Sequence, residues 1–526
     1  MRSLFRKLLI TSCLALSSTN LHAAVGEPQV TIDIHSYDKL MADLKELAAT
    51  VGQEGVISGL PIMLGIDLVE LVDPAKPWHA AVWMESIEAP PVIAIIVPID
   101  DFEAFQNAIQ ISMVGQFGAS YYDVGDKVVL LSSMLGTPLP DGWSELAVNY
   151  ALQLVSNPQQ TLELTFTLND ELRATAVTTL NAYQQGMMAI FDPPGVDFGM
   201  LTEDLDSMME SYFAFYEILL KESEQFQMGL GVEQQSVELS TGVTAVDGSS
   251  LAALIDSQDV NITELLPLVD WSSDLAFLGG FSDLPESWNS LLLSLLESMM
   301  PFYGLEKSNA SEWVDLLKAT LPLKSVYHFD FDDGMQFSGF YDILEGSASE
   351  VYDAWLEITD TMVSGKTELA PYYSEVKIER ASRSQGDHQI DRIKMVINPD
   401  HPTLQMPEQK VVMDQLFNEG EIIYEMAQVS DRIHVATEGQ LDLDPKPQVA
   451  ASTPIEVSPN TRMVFSLNMG SIMQLSASLS EEPMPAELVA LKAEDWRINY
   501  IIEFDEGITA KTTFPLSIFG ALSSIK

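Results

Sequence analysis

A strand, a tight acidic turn, a return strand and an amphipathic helix follow one another in Val326–Leu356, and this order constrains the fold more than any other feature. Tyr327, Phe329 and Phe331 alternate with His328 and Asp330, the period of two expected of a half-buried strand. Asp332-Asp333-Gly334 supplies turn chemistry, because Gly accepts a positive φ and Asp can bond its own backbone. Phe337, Gly339 and Tyr341 alternate on the return. Gly346-Ser347 then reads as a helix start, with Val351, Tyr352, Trp355 and Leu356 at helical spacing.

The same order recurs. At the C-terminal end, Ile498, Tyr500, Ile502 and Phe504 lead into Asp505-Glu506-Gly507, a return through Ile508, Ala510, Thr512 and Phe514, and a helix over Leu516–Ile525. Another copy runs over Phe226–Val232, turns at Glu233-Gln234-Gln235 and returns through Val237, Leu239 and Val243. Its helix starts near Asp247-Gly248-Ser249 and carries Leu251, Leu254 and Ile255. The first copy pairs His79–Met84 with Val92–Val97 across Ala89-Pro90-Pro91. Pro98-Ile99-Asp100-Asp101 then caps a helix carrying Phe102, Phe105 and Ile109.

Each copy is preceded by a strand running into a helix, at Val30–Ile34, Leu162–Leu168, Leu275–Phe281 and Met463–Leu467. Extra hairpins follow the first copy (Tyr121–Val124 with Val128–Leu131) and the third (Glu421–Met426 with Arg432–Ala436). The pattern therefore fits either a fourfold unit or a twofold duplication. The expected fold is α+β: two tandem similar halves, each with a mainly antiparallel sheet and helices packed on one face. The halves are expected at 24–257 and 274–526, joined by a connector at 258–273, with a Pro-rich linker at 441–460.

Val92–Val97 followed by Pro98-Ile99-Asp100-Asp101-Phe102 is similar to a group of uncharacterised exported bacterial proteins with strand-strand-helix repeats. The resemblance implies architecture and brings no activity with it.

Met1–Ala23 has the layout of a secretory signal. Arg2, Arg6 and Lys7 form a basic head, Leu8–Leu16 an apolar middle, and Leu21-His22-Ala23 or His22-Ala23-Ala24 a cleavage region. Ile10-Thr11-Ser12-Cys13 also resembles a lipidation box, but an apolar run beginning only at Leu8 is short for that use, so ordinary cleavage is expected. Cys13 is the only cysteine and would leave with the signal. The remainder then has no disulfide, thiol nucleophile or thiolate metal site. The expected location is periplasmic, extracellular or at the cell surface. Asn289–Glu306 comes closest to a membrane span but holds Glu297 and Pro301, and reads as a buried helix.

Charge excludes further classes. The chain has 77 acidic and 26 basic residues, a formal charge of −51. Such a field repels nucleic acid and anionic lipid headgroups. It suits either a salty exterior, where screening relieves self-repulsion, or a basic or divalent-cation partner. Lys377, Arg380, Arg383, Arg392 and Lys394 form the one basic cluster, expected either to pair with neighbouring carboxylates or to dock against the other half.

Motifs for chemistry are missing from the sequence. The histidines are scattered, with no pair at zinc-ligand spacing and no HExxH. Asp330–Gly334 lacks the register of an EF-hand loop. Ser364-Gly365-Lys366-Thr367 ends like a P-loop, but Asp360 stands where its first Gly is needed. There is no Gly-x-Ser-x-Gly elbow. No catalytic residue, metal site or cofactor is assigned.

What stands out is apolar. Arg173–Glu224 is read as mostly helical and rich in Met and aromatics, and such helices can line an adaptable groove. The candidate surface comprises Met208, Met209, Tyr212, Phe213 and Tyr216, with Met299 and Met300 from a second apolar stretch. The leading expectation is an exported, non-enzymatic envelope or surface protein that works by binding or assembly. The second is a carrier holding an apolar, lipid-like ligand between sheet and helices at Met187–Leu220 and Leu291–Tyr303. The third is a hydrolase with a dispersed site.

Overall fold

The computed structural model describes residues 27–52, 72–84, 91–109, 120–133, Leu139, 142–154, 158–191, 201–233, 235–300, 307–331, 334–361, 373–400, 420–447, 455–480, 485–491 and 496–524. The expected signal at 1–23, the Ala89-Pro90 part of the first turn and Asp332-Asp333 lie outside these residues.

In chain order the elements are β1 (Val30–Ile34), α1 (Tyr37–Thr50), β2 (Trp78–Trp83), β3 (Val92–Pro98), α2 (Phe102–Ile109), β4 (Ser120–Asp123), β5 (Lys127–Ser133) and α3 (Trp143–Gln153). Next come β6 (Leu162–Thr167), α4 (Asp170–Phe191), α5 (Leu201–Glu222), β7 (Ser223–Glu233), β8 (Ser236–Ala245) and α6 (Ser250–Ser257). A 3-10 turn (Thr263–Leu268) precedes β9 (Leu275–Phe281), α7 (Glu286–Met299), α8 (Ala310–Thr320), β10 (Leu323–Asp330), β11 (Gln336–Ile343) and α9 (Ala348–Thr361). Four strands follow: β12 (Tyr373–Gln385), β13 (His388–Ile397), β14 (Glu421–Val429) and β15 (Arg432–Thr437). The chain closes with β16 (Thr461–Asn468), α10 (Met469–Ser480), α11 (Ala486–Val489), β17 (Arg497–Phe504), β18 (Gly507–Pro515) and α12 (Leu516–Ser524). The fold is α+β and antiparallel, as the alternation and turns require.

Two compact units result. One holds Met1–Ala182, Ser223–Ala245 and Lys511–Lys526; the other holds Tyr183–Glu222 and Val246–Ala510. In the first, the strand order is β4-β5-β3-β2-β1-β6-β7-β8. In the second it is β12-β13-β14-β15-β11-β10-β9-β16-β17. Once β12 and β13 are set aside, β14-β15-β11-β10-β9-β16-β17 matches β4-β5-β3-β2-β1-β6-β7 strand for strand, and β8 is left over. At each centre, the first strands of two successive modules pair antiparallel, β1 with β6 and β9 with β16. The arrangement has a physical cause. A module's hairpin occupies only one edge of its first strand, and joining two first strands satisfies the remaining backbone donors and acceptors of both.

Helix starts follow their capping residues. Ser36 accepts from the Lys39 N–H at 3.1 Å, Asp101 from Glu103 and Ala104, Ser249 from Ala252, and Ser347 from Glu350. In the first unit, α2 packs Phe105 and Ile109 on Val97, Val128 and Leu130, while α3 packs Trp143, Ala147 and Ala151 on the opposite face against Trp83, Ala94 and Leu131. In the second, α8 and α9 cover one face, with Val351, Tyr352 and Leu356 buried against Tyr341, Ile393 and Ile433.

The other face of that sheet is covered by segments that read as connectors. Ile262, Leu265, Val269, Trp271 and Ile455 join Leu278, Val326, Phe340 and Val464 in one core, and Leu441 packs with Ile390, Ala427 and Ala436. The described parts of 258–273 and 441–460 are therefore packed structure. Arg462, 6% exposed, fastens both: Nε donates to the Gln258 carbonyl at 2.9 Å and Nη1 to the Pro459 carbonyl at 2.7 Å.

Candidate functional site

Between α9 and its sheet lies a cavity of about 320 Å³. Strand alternation builds its floor. Tyr327 and Phe329 of β10 stand on the same face as Phe337 and Tyr341 of β11, Val435 of β15, Ile422, Tyr424 and Met426 of β14, and Met395 of β13. Trp355 and Thr359, one turn apart on α9, form part of the wall, with Tyr373 and Met335 completing the lining. The charged side chains of these strands alternate to the other face or lie beyond the lining, so among the described residues no charged side chain borders the cavity.

The polar side-chain groups here are hydroxyls and the Trp355 indole N–H, and the hydroxyls differ in how they are satisfied. Tyr424 is engaged by the Thr359 and Trp355 side chains. Tyr352, beside the cavity, donates to Asp391 Oδ2 at 3.0 Å and to the Met426 carbonyl at 3.1 Å. Tyr341, 8% exposed, has a buried hydroxyl with no hydrogen-bond partner among the described protein groups. Burial pushes the Tyr424 phenol up to about 12 and raises Tyr327 and Tyr341 further, with the neighbouring Tyr327 adding to the rise at Tyr341. These phenols stay neutral donors at any physiological pH.

A charged brace holds the outer strands. Asp391, 6% exposed, accepts from the Ala381 N–H at 2.7 Å, from the Tyr352 hydroxyl and from Arg380 Nη1 at 3.1 Å. Arg383 makes two 2.6 Å bonds to Glu425, Arg392 bonds Glu438, Lys394 bonds Glu421, and Lys377 pairs with Glu379. The basic cluster thus pairs with carboxylates throughout, the first of the two roles its sequence suggested.

The residues singled out from the sequence lie elsewhere in this unit. Met209, Tyr212, Phe213 and Tyr216 are on α5; Met299 ends α7 and Met300 follows it. The helices meet at Ser211 and Ser294, whose hydroxyls are 3.0 Å apart. Phe213 and Met300 are buried, Met209 and Met299 half-buried, and Tyr212 and Tyr216 exposed, their hydroxyls bonded to each other at 2.8 Å. Met208 is on α5, its side chain outside the described set. None of the six whose side chains are described lines the cavity under α9. A signal for that cavity was present in the sequence: five aromatic residues, Tyr327, Phe329, Phe337, Tyr341 and Trp355, fall within one module.

Histidine chemistry is occupied by structure. His79 bonds Asp33 Oδ1 through Nδ1 at 2.7 Å and the Tyr150 hydroxyl through Nε2 at 3.0 Å. On the opposite face of the second unit's sheet, a cleft of about 200 Å³ holds Asp270, His328, Asp330, Asp442 and Lys446. His328 Nε2 accepts the Asp270 N–H at 2.7 Å, and burial lowers the pKa of the ring, so its acceptor nitrogen is already used. Among the described residues no three His, Cys, Asp or Glu converge as metal donors. Nor is any described helix long and apolar enough to cross a membrane.

No protein-family model and no curated protein matches the chain. Among solved structures, one titled "Structure of crystal form III of TP0453" is similar over 44% of this chain and 82% of its own, at 9% identity and a TM-score of 0.21.

Proposed function

We propose that this chain is an exported, non-enzymatic binding protein that holds an apolar small molecule in the cavity between α9 and the β10-β11-β15-β14-β13 face. One observation carries the reading: about 320 Å³ of space bordered, among the described residues, by aromatic, aliphatic and Met side chains, with hydroxyls and the Trp355 indole N–H as the polar side-chain groups. Small-molecule pockets are typically roughly 300–1,000 Å³, apolar, with a few placed polar groups. The Met and aromatic content gives walls that adapt to a ligand's shape. Export is supported by the layout of Met1–Ala23 and by the single cysteine at position 13.

The test is titration of the purified chain with an uncharged fluorescent probe, N-phenylnaphthylamine, for wild type and Val435→Trp, whose indole would fill the cavity. Saturable binding by wild type, lost in a V435W protein that keeps its circular-dichroism spectrum, is the expected result. Should V435W unfold, Met395→Phe gives the same comparison with a smaller added volume. Absence of saturable binding, or binding indifferent to both substitutions, overturns the proposal.

A further inference from the structure

We infer that the molecule held under α9 is an uncharged, planar aromatic compound of two or three fused rings. The inference rests on the binding function proposed above and specifies its ligand class. Tyr327, Phe329, Phe337, Trp355 and Tyr373 all border the cavity and are only half-buried, so ring surface is what an entering molecule meets. The rings stand on both sides of the space, Tyr327, Phe329 and Phe337 on the sheet and Trp355 on α9. Phe329 and Phe337 face each other in the strand register with centroids 6.0 Å apart and planes 30° apart, and Phe337 lies 6.1 Å from Tyr424. At such separations aromatic pairs attract beyond the area they bury, so a flat guest continues the series where a saturated chain gains area alone. Met335, also half-buried in the lining, adds a polarisable sulfur suited to an aromatic edge.

Size and polarity narrow the class. The volume of about 320 Å³ is roughly twice the ~150 Å³ that encloses one benzene ring. The Trp355 indole and the Thr359 hydroxyl engage Tyr424, and the Tyr341 hydroxyl oxygen is enclosed by protein, so none of the three offers a bond to a guest. Among the described residues no charged side chain borders the cavity, so a carboxylate would enter without a counter-ion. An organic cation would find ring faces but no carboxylate to offset its lost hydration. A neutral fused ring meets all of these conditions.

The experiment measures competition by naphthalene, decalin and decane, of equal carbon count, against N-phenylnaphthylamine. Each affinity is divided by the probe's own water-to-hexadecane partition coefficient, which removes plain hydrophobicity. After that correction wild type should prefer naphthalene over decalin and decane by about tenfold, the size of one or two aromatic contacts. Phe329→Leu and Phe337→Leu each remove a ring while keeping the floor apolar. In each the preference should fall by about threefold, with decalin binding kept. Should one variant unfold, the other and the wild-type comparison still decide. Parity of the three probes on wild type, or a preference unchanged in the folded variants, would overturn the inference. Decane binding best would point to an acyl chain and overturn it as well. Failure of all three to compete strikes the inference alone if N-phenylnaphthylamine itself binds saturably, and the binding function with it if that probe does not bind.

Discussion

The Tyr327 ring on β10 lies across Gly339 on β11, so close that a Cβ at position 339 would fall 2.5 Å from the ring's Cδ1 and 2.4 Å from the Val326 carbonyl oxygen. The two residues face each other in the strand register, and the missing side chain lets the ring fold down onto the sheet beside the cavity. Gly339→Ala must push the ring and part the strands. We expect a loss of about 1–3 kcal/mol, the usual cost of overpacking, measured by urea unfolding, together with weaker probe binding. An unchanged midpoint would mean that the ring moves freely and does not shape the floor.

Arg383 and Glu425 form the strongest brace on the outer strands. Glu425 is 3% exposed, and its bonds to Arg383 hold the carboxyl below its ordinary value near 4.5. Arg383 is 38% exposed, so solvent screens part of the attraction. Arg383→Ala, which strands a buried carboxylate, should cost about 2–3 kcal/mol, less than a fully buried pair. Because the folded-state value is depressed, this contribution is present above about pH 4.5 and is lost as pH falls through the lowered value. The R383A protein should therefore lose less stability on acidification over that range. Parallel pH–stability curves would contradict this.

His434 acts over a higher pH window. The ring is 1% exposed, packed 6.0 Å from Phe340, and burial with the nearby Arg432 lowers its pKa to about 4. Between about 6.5 and 4 the unfolded chain takes up a proton that the folded chain refuses, so stability falls as pH falls. The effect of one such group is about 3 kcal/mol. His434→Gln should flatten that part of the curve without abolishing the slope, because His328 is lowered in the same direction. Calorimetry at pH 7 and pH 4.5 checks it; an unaltered slope would assign the dependence to other groups.

Arg462 gives a local prediction. Its guanidinium is bound by backbone carbonyls of Gln258, Pro459 and Thr461, and burial lowers its pKa. Arg462→Met removes these donors and leaves the carbonyls unpaired, at about 3 kcal/mol. Limited proteolysis should then cut within 441–460 faster than in wild type. Equal cutting rates would show that the segment is held by Leu441 and Ile455 alone.

How much of this was legible in the sequence depended on the range of the forces. Strand alternation in Tyr327–Phe331, turn residues such as Asp505–Gly507 and caps such as Ser249 act over a few residues, so the modules, their strand edges and the antiparallel α+β class could be read directly. The pairing of the basic cluster could be read because acidic residues outnumber basic ones about threefold along the chain, 77 to 26.

Tertiary structure decided the rest. Segments 258–273 and 441–460 look like connectors because Pro and polar residues break their periodicity, yet Val269, Trp271, Leu441 and Ile455 bury against the sheet face opposite α9. The Met-rich stripe of α5 has the composition of a groove, but its partner α7 fills one side and water meets Tyr212 on the other. The cavity needs Tyr341 and Met426 on one face, and β11 and β14 are brought together only because β15 inserts between them. That juxtaposition links positions some eighty residues apart. No local pattern encodes it, because strand pairing is a choice among edges that only the folded chain makes.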